Sequence, residues 1–263
     1  MDLQLSGKSA LVTGGTAGIG LEIARALARE GANVIITGRD QAKLDSAIVD
    51  IKTSGGAAAG GVQADAGTAE GAAAITKTVP TVDILVNNIG IYESKAFGDI
   101  TDDDWSHIFE VNVMSGVRLS RAYLPGMLAR NWGRIIFIAS ESGLAIPTDM
   151  IHYGMTKTAQ LSVSRGLAQM TRGTNVTVNA VLPGPTRAAG IETFLRSQAS
   201  DPSAPIKQIE AEFFATSRSS SIIQRMLEAE EVANLVAYVA SPRSSATNGA
   251  ALRAEGGLVS TIA

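Results

Sequence analysis

The chain has no cysteine in its 263 residues, which excludes disulfides, thiolate catalysis and cysteine–zinc sites. Only two histidines occur, without the H-E-x-x-H spacing of a zinc-binding helix, so no metal is expected. Aromatic residues make up 5% of the chain, and the formal net charge of -3 offers no basic surface for nucleic acid. No apolar run reaches the length that spans a bilayer, so no membrane partner is expected. The N-terminus carries an acid at Asp2 and no apolar core, unlike a signal peptide, and the expected location is the cytoplasm. What is abundant is glycine, 27 residues, within a 45% hydrophobic composition, a balance that suits an α/β protein with tight turns and aliphatic packing.

Apolar runs alternate with helical patterns along the chain. Ser9–Thr13, Asn33–Thr37, Gly61–Asp65, Val82–Val86, Arg134–Ala139, Val176–Val181 and Ala250–Ala254 read as strands. Helical spacing covers Ile19–Glu30, the stretch from Asp40 to about Lys52, a long run from about Asp103 to Arg130, and Glu230–Ala240. Such alternation implies right-handed βαβ units and a parallel sheet of about seven strands with helices on both faces. No linker, repeat or charge run divides residues 1–263, so a single domain is expected. Asp102, Asp103 and Asp104 read as the acidic first turn of the long helix rather than as a metal site. From 188 to 226 the regularity fades into a polar, serine-rich stretch with Ile191, Phe194, Leu195, Phe213 and Phe214. Two readings remain open for it: a mobile lid over a site, or an amphipathic helix pair packed on the rim.

Two stretches carry chemistry. Thr13-Gly14-Gly15-Thr16-Ala17-Gly18-Ile19-Gly20 lies between a strand and a helix. There, backbone amides and the helix dipole favour a pyrophosphate, and small residues let it approach. The second strand ends in Gly38-Arg39-Asp40. No acid stands at the ribose position if Gly38 closes the strand, Arg39 suits a 2′-phosphate, and Asp40 reads as a helix cap. NADP(H) is therefore expected ahead of NAD(H). The second stretch, Ile151-His152-Tyr153-Gly154-Met155-Thr156-Lys157, sets a phenol and an ammonium four residues apart on one helix face. An ammonium there favours the phenolate over a phenol whose ordinary pKa is about 10, so the pair can exchange a proton with a substrate oxygen.

These motifs, taken in order with Asp65, Asn87-Asn88-Ile89-Gly90, Asn112, Ser140 and Pro183-Gly184, resemble the short-chain dehydrogenase/reductase family in its compact single-domain branch. Reductases of the 3-oxoacyl-acyl-carrier-protein type belong to that branch. The resemblance implies a single-domain Rossmann fold and a homo-oligomer, a tetramer by family analogy. It implies that Tyr153 is the acid/base and that Lys157 lowers its pKa and holds the nicotinamide ribose. Ser140 would orient the substrate carbonyl, and Asn112 would bend its helix and hold a water linking Lys157 to solvent. Gly14, Thr16, Gly18, Ile19 and Gly20 would bind the pyrophosphate, with Arg39 at the adenine ribose and Asp65 with Ala66 at the adenine. Asn88, Ile89 and Gly90 would line the cleft, and Pro183, Gly184 and Thr186 would lie against the nicotinamide. The substrate would be a small carbonyl compound or secondary alcohol. An NAD(H)-linked dehydrogenase and a non-catalytic nucleotide-sensing scaffold are the competing readings.

Three departures from the family pattern stand out: Ile89 in place of alanine, Ala188 where a threonine is common, and Ala254-Glu255 in place of Val-Asp. His152 adjoins Tyr153, but neighbours on a helix point about 100° apart, so it is expected to face away from the reacting oxygen. His107 is expected at the surface, and Trp105 and Trp132 are expected to pack.

Overall fold

The computed structural model describes residues 1–55, 58–188 and 190–262. The strands are β1 (Ser9–Val12), β2 (Asn33–Gly38), β3 (Ala58–Gln63), β4 (Ile84–Asn87), β5 (Gly133–Ile138), β6 (Val176–Pro183) and β7 (Ala251–Ala254). They form one seven-stranded sheet in the order β3-β2-β1-β4-β5-β6-β7, every pairing parallel. The helices are α1 (Gly18–Arg29), α2 (Gln41–Thr53), α3 (Ala69–Thr78), α4 (Asp102–Phe109), α5 (Ser115–Ala129), α6 (Ile151–Met170), α7 (Ile191–Gln198), α8 (Ile206–Ala215) and α9 (Ala229–Ala240).

Strand periodicity sorts the core into two layers. Ala10 and Val12 of β1 face a layer with Ile23 and Leu27 of α1 and Val232 and Val236 of α9. Leu11, one position over, joins the opposite layer with Leu119 of α5, Ile135 and Phe137. Both layers are apolar and buried, and each fully buried Leu, Ile or Phe contributes about 1.5–3 kcal/mol, so the sheet holds its own shape. Strand order reverses between β1 and β4, and the crevice at the carboxyl ends of those strands is where open α/β sheets bind ligands.

Two expectations about local structure need correction. The third strand runs over Ala58–Gln63 rather than Gly61–Asp65. Its small residues hide it from propensity, and at Gly61 α2 lies close: a Cβ there would stand 2.8 Å from Ile48 and Leu44. Asp65 accordingly falls in the loop beyond the strand, where its Oδ1 accepts from the Gly67 amide at 2.9 Å. The long helix is broken: α4 and α5 are joined by a π-turn at Glu110–Met114 that contains Asn112. The acidic triplet opens α4 in a capping box, with the Thr101 amide donating to Asp104 at 2.8 Å.

Residues 188–226 contain the helix pair α7–α8, which has a small core of its own around Leu195, Ile209, Phe213, Phe214 and Met226. Asp40 caps α2, accepting from the Lys43 amide at 3.0 Å. No helix of the described residues is long and apolar enough to cross a membrane.

Candidate active site

A cleft of about 220 Å³ opens at the switch point and runs from Ile19 at the start of α1 to Phe213 of α8. Its phosphate end is built by hydrogen bonds between neighbouring strand ends. The Thr13 hydroxyl accepts from the Asn88 amide at 2.9 Å, and the Asn88 carboxamide donates to the Thr13 carbonyl at 3.0 Å. The Gly14 amide donates to the Thr37 hydroxyl at 3.2 Å. Asn88 thus anchors the loop from behind as well as lining the cleft. Ile89, the bulkier family departure, packs over Gly14: a Cβ there would lie 3.0 Å from Ile89 Cδ1.

The loop fits a dinucleotide pyrophosphate. Ala17 opens α1 with no side-chain cap, and the first turn has no acid, so its dipole and amides face an anion unopposed. A Cβ at Gly20 would come 2.3 Å from the Gly14 carbonyl, so only glycine allows this tight approach.

At the end of β2, Gly38 closes the strand and a Cβ on it would stand 2.5 Å from Thr16 Cγ2. No acid is presented there. Arg39 extends into solvent, 81% exposed, with its guanidinium 3.9 Å from Asp65. Ala66 is buried immediately after Asp65.

At the other end, Ser140 at the tip of β5, Tyr153 and Lys157 on α6, and Gly90 after β4 line the same cleft. The Lys157 ammonium lies 5.5 Å from the Tyr153 ring centroid and donates to the Ile138 carbonyl at 3.0 Å. A Cβ at Gly90 would lie 3.4 Å from that nitrogen and 3.6 Å from Asn112 Oδ1. Burial pushes the lysine down to about 8, opposed by the carboxylate of Glu141. Burial also pushes the Tyr153 phenol up, Glu141 adds to the rise, and Ser140 and Arg218 pull it back.

Asn112 lies within the π-turn that breaks the long helix. Its side chain clamps Ile91, accepting from the Ile91 amide at 2.7 Å and donating to the Ile91 carbonyl at 2.9 Å. Its main-chain carbonyl accepts from Gln160 Nε2 at 2.6 Å, while Gln160 Oε1 accepts from Lys157 at 3.2 Å. A glutamine carboxamide therefore bridges the lysine and the Asn112 carbonyl. The reason lies in sequence: position 160 is one turn past Lys157 on the same buried face of α6.

Glu141, Arg218 and Tyr92 are further cleft residues that sequence reasoning passed over. The buried Glu141 carboxylate accepts from Ser140 and Ser142, and it pairs at 3.4 Å with Arg218 from the segment after α8. An acid beside Ser140 was a visible signal. Tyr92 stacks edge-on against Tyr153 at 6.2 Å and against Phe194 at 5.8 Å, and Phe194 in turn meets Phe213 at 6.3 Å. Aromatic contacts thus lead from the phenol into the helix pair.

Pro183, Gly184 and Thr186 line the wall facing the loop, with the Thr186 hydroxyl donating to the Gly184 carbonyl at 2.8 Å. Ala188, where a threonine is common, approaches Gly18: a Cβ there would stand 3.1 Å from the Ala188 methyl. Glu255, the C-terminal departure, is buried and accepts from the Leu258 and Val259 amides, closing the turn after β7. His152 is buried against Trp105 at 5.9 Å, away from the cleft, as the helical spacing required. His107 is exposed, and Trp132 packs under Lys8 and Arg134.

Comparison with known proteins accords with this architecture. The family model for short chain dehydrogenases matches residues 8–199. The chain belongs to the short-chain dehydrogenase/reductase family. It is 51% identical to the Bacillus subtilis oxidoreductase YvaG, with 100% of both chains covered. It is 33% identical to a 3-oxoacyl-[acyl-carrier-protein] reductase of Aquifex aeolicus, covering 98% of this chain and 100% of that protein. The solved structure of L-sorbose reductase from Gluconobacter frateurii, complexed with NADPH and L-sorbose, superposes with a TM-score of 0.92 at 31% identity, with 100% of both chains covered. The short-chain dehydrogenase/reductase described here is an oxidoreductase with the Rossmann-like fold of that family.

Proposed function

We propose that this short-chain dehydrogenase/reductase transfers hydride between NADP(H) and a small carbonyl compound or secondary alcohol, with Tyr153 as the acid/base. The observation that carries the reading is the convergence of Ser140, Tyr153 and Lys157 at one end of a cleft whose other end is an uncapped helix N-terminus. Gly14, Thr16, Gly18, Ile19 and Gly20 hold the pyrophosphate. Asp65 and Ala66 hold the adenine, Asn88 and Gly90 form the rear wall, and Pro183, Gly184 and Thr186 face the nicotinamide. Support for NADP(H) comes from the strand end: Gly38 presents no carboxylate, Asp40 is engaged as a cap, and the exposed Arg39, only loosely paired with Asp65 at 3.9 Å, can reach a 2′-phosphate. The NADPH complex of L-sorbose reductase points the same way.

The nicotinamide, when bound, supplies or accepts the hydride. As negative charge grows on the substrate oxygen, the Tyr153 hydroxyl donates to it, the Ser140 hydroxyl turns from Glu141 to donate as well, and Tyr153 releases its proton to that oxygen. Lys157 holds positive charge beside the phenol and stabilises the phenolate left behind. Asn112 holds the loop at Ile91 against α6 through its bond to Thr156 at 3.0 Å, which keeps Gly90 and Tyr92 in the cleft wall. The aromatic wall favours an apolar group on the substrate, and the Glu141–Arg218 pair offers a carboxylate and guanidinium to a polar one. Residues 1–263 act as one domain in this reading, with 188–226 as the lid, in a cytoplasmic homotetramer by family analogy.

NADPH oxidation followed against a panel of ketones, oxo esters and keto sugars tests the proposal, with NADH in parallel. Turnover with at least one carbonyl class and a preference for NADPH is expected. Equal rates with NADH would overturn the cofactor assignment. Tight NADPH binding without turnover of any carbonyl, or of alcohols with NADP+, would favour the sensing scaffold.

A further inference from the structure

We propose that Gln160 is a positioning residue for proton transfer: its carboxamide holds the Lys157 ammonium against the Tyr153 side of the cleft and anchors it to the Asn112 carbonyl. This rests on the Tyr153–Lys157 reading above.

The geometry makes Gln160 more than a filler. Its side chain is 1% exposed, and both ends of the carboxamide are engaged, Oε1 by Lys157 at 3.2 Å and Nε2 by Asn112 at 2.6 Å. Reversing the amide would set NH2 against an ammonium and a carbonyl against a carbonyl, so the partners fix one orientation. The Asn112 carbonyl is presented to it by the π-turn, where the helix widens and the i→i+4 ladder is interrupted. On the same helix, buried His152 Nδ1 and Ser164 Oγ have no partner among the described residues, whereas both ends of Gln160 are matched.

The chemistry follows from the partners. Lys157 has three donors; the Ile138 carbonyl and Gln160 take two at the inner end, leaving one for the cleft that the lysine lines. The Gln160 oxygen is a dipole aimed at the ammonium, which favours the charged lysine. A carboxamide neither gains nor loses a proton near neutral pH. It therefore fixes the lysine without carrying protons past it, and exchange is directed through the cleft.

The test reads the lysine directly and needs no turnover. The Lys157 side chain is titrated by 13C NMR of the lysine ε-carbon in the full chain, with Lys157→Met used for assignment. Gln160→Met removes both hydrogen bonds at nearly constant volume and is expected to lower the Lys157 midpoint by about half a pH unit or more. Gln160→Glu places a carboxylate on the ammonium and is expected to raise it. An unchanged midpoint in either folded variant overturns the proposal, and should Gln160→Met not fold, the Gln160→Glu titration decides. Where a turnover substrate is in hand, Gln160→Met should also move the rising limb of the pH profile for alcohol oxidation to higher pH, with the substrate KM unchanged. Loss of kcat with an unshifted limb would mark a purely structural role. Wild-type inactivity towards every carbonyl and alcohol would count against the proposed reaction, and the titration would still decide the role of Gln160.

Discussion

Two cationic side chains, Arg39 at the end of β2 and Lys157 in the cleft, sit in opposite media. Arg39 stands in solvent at the end of β2, 81% exposed, with a single acid 3.9 Å away. Lys157 lies 4% exposed at the base of the reaction end, hydrogen-bonded to the Ile138 carbonyl and Gln160. An exposed pair contributes about 0–1 kcal/mol and is screened by salt. A buried charge depends on each partner around it, because leaving a buried polar group unsatisfied costs about 1–3 kcal/mol or more. In the proposed reading, the adenine end would select a cofactor by small, additive, salt-sensitive contributions. The reaction end is set atom by atom.

Lys157→Met should break the contrast most severely. In the proposed mechanism it removes the charge beside the phenol and the hold on the nicotinamide ribose, so kcat is expected to fall about 100-fold or more. Steady-state kinetics and fluorescence titration of NADPH should both register the change, whereas a role confined to the proton would leave cofactor affinity intact. Arg218→Gln should have the next largest effect. Arg218 lowers the Tyr153 pKa and balances the buried Glu141, so its loss raises the phenol further. The rising limb of the pH profile for alcohol oxidation should move to higher pH, and an unmoved limb would remove Arg218 from the electrostatics of the site.

Arg39→Ala should weaken NADPH about 10-fold at low ionic strength, leave NADH unchanged, and lose much of that effect at 0.5 M salt. Equal losses for the two cofactors would place Arg39 elsewhere than at the 2′-phosphate. Arg39→Ala is the cleaner probe because an acid at position 38 would clash with Thr16.

The smallest effect expected is on stability. Lys157 has a folded pKa of about 8 against 10.5 for an ordinary lysine, so between those values the unfolded chain binds more protons. Wild-type stability relative to Lys157→Met should therefore rise from pH 8 towards pH 10 as the buried charge is relieved. Thermal unfolding of both proteins across that range checks the sign, and a flat difference would contradict it.

Much of this was legible in sequence for definite reasons. The strand–loop–helix order around Gly14–Gly20, the cap at Asp40 and the Tyr153–Lys157 spacing are local patterns. Local patterns survive into the fold when the periodicity agrees with them. The β3 boundary was not legible, because Ala58, Ala59, Gly60 and Gly61 have low strand propensity and Gly61 fits under α2 only as glycine. Nor was the Glu141–Arg218 pair, whose members are joined only when the chain after α8 folds back over the cleft. Gln160 lay in plain view three residues past Lys157. Its role still needed the π-turn at Asn112, which no spacing on α6 reports.

The central claim is that chemistry depends on the Tyr153 phenol while cofactor binding does not. Single-turnover oxidation of pre-bound NADPH by saturating carbonyl substrate, compared between wild type and Tyr153→Phe, tests it most directly. The account predicts NADPH affinity within about twofold of wild type and a hydride-transfer rate lower by about 1000-fold. Oxidation of NADPH by Tyr153→Phe at a rate near that of wild type would contradict it.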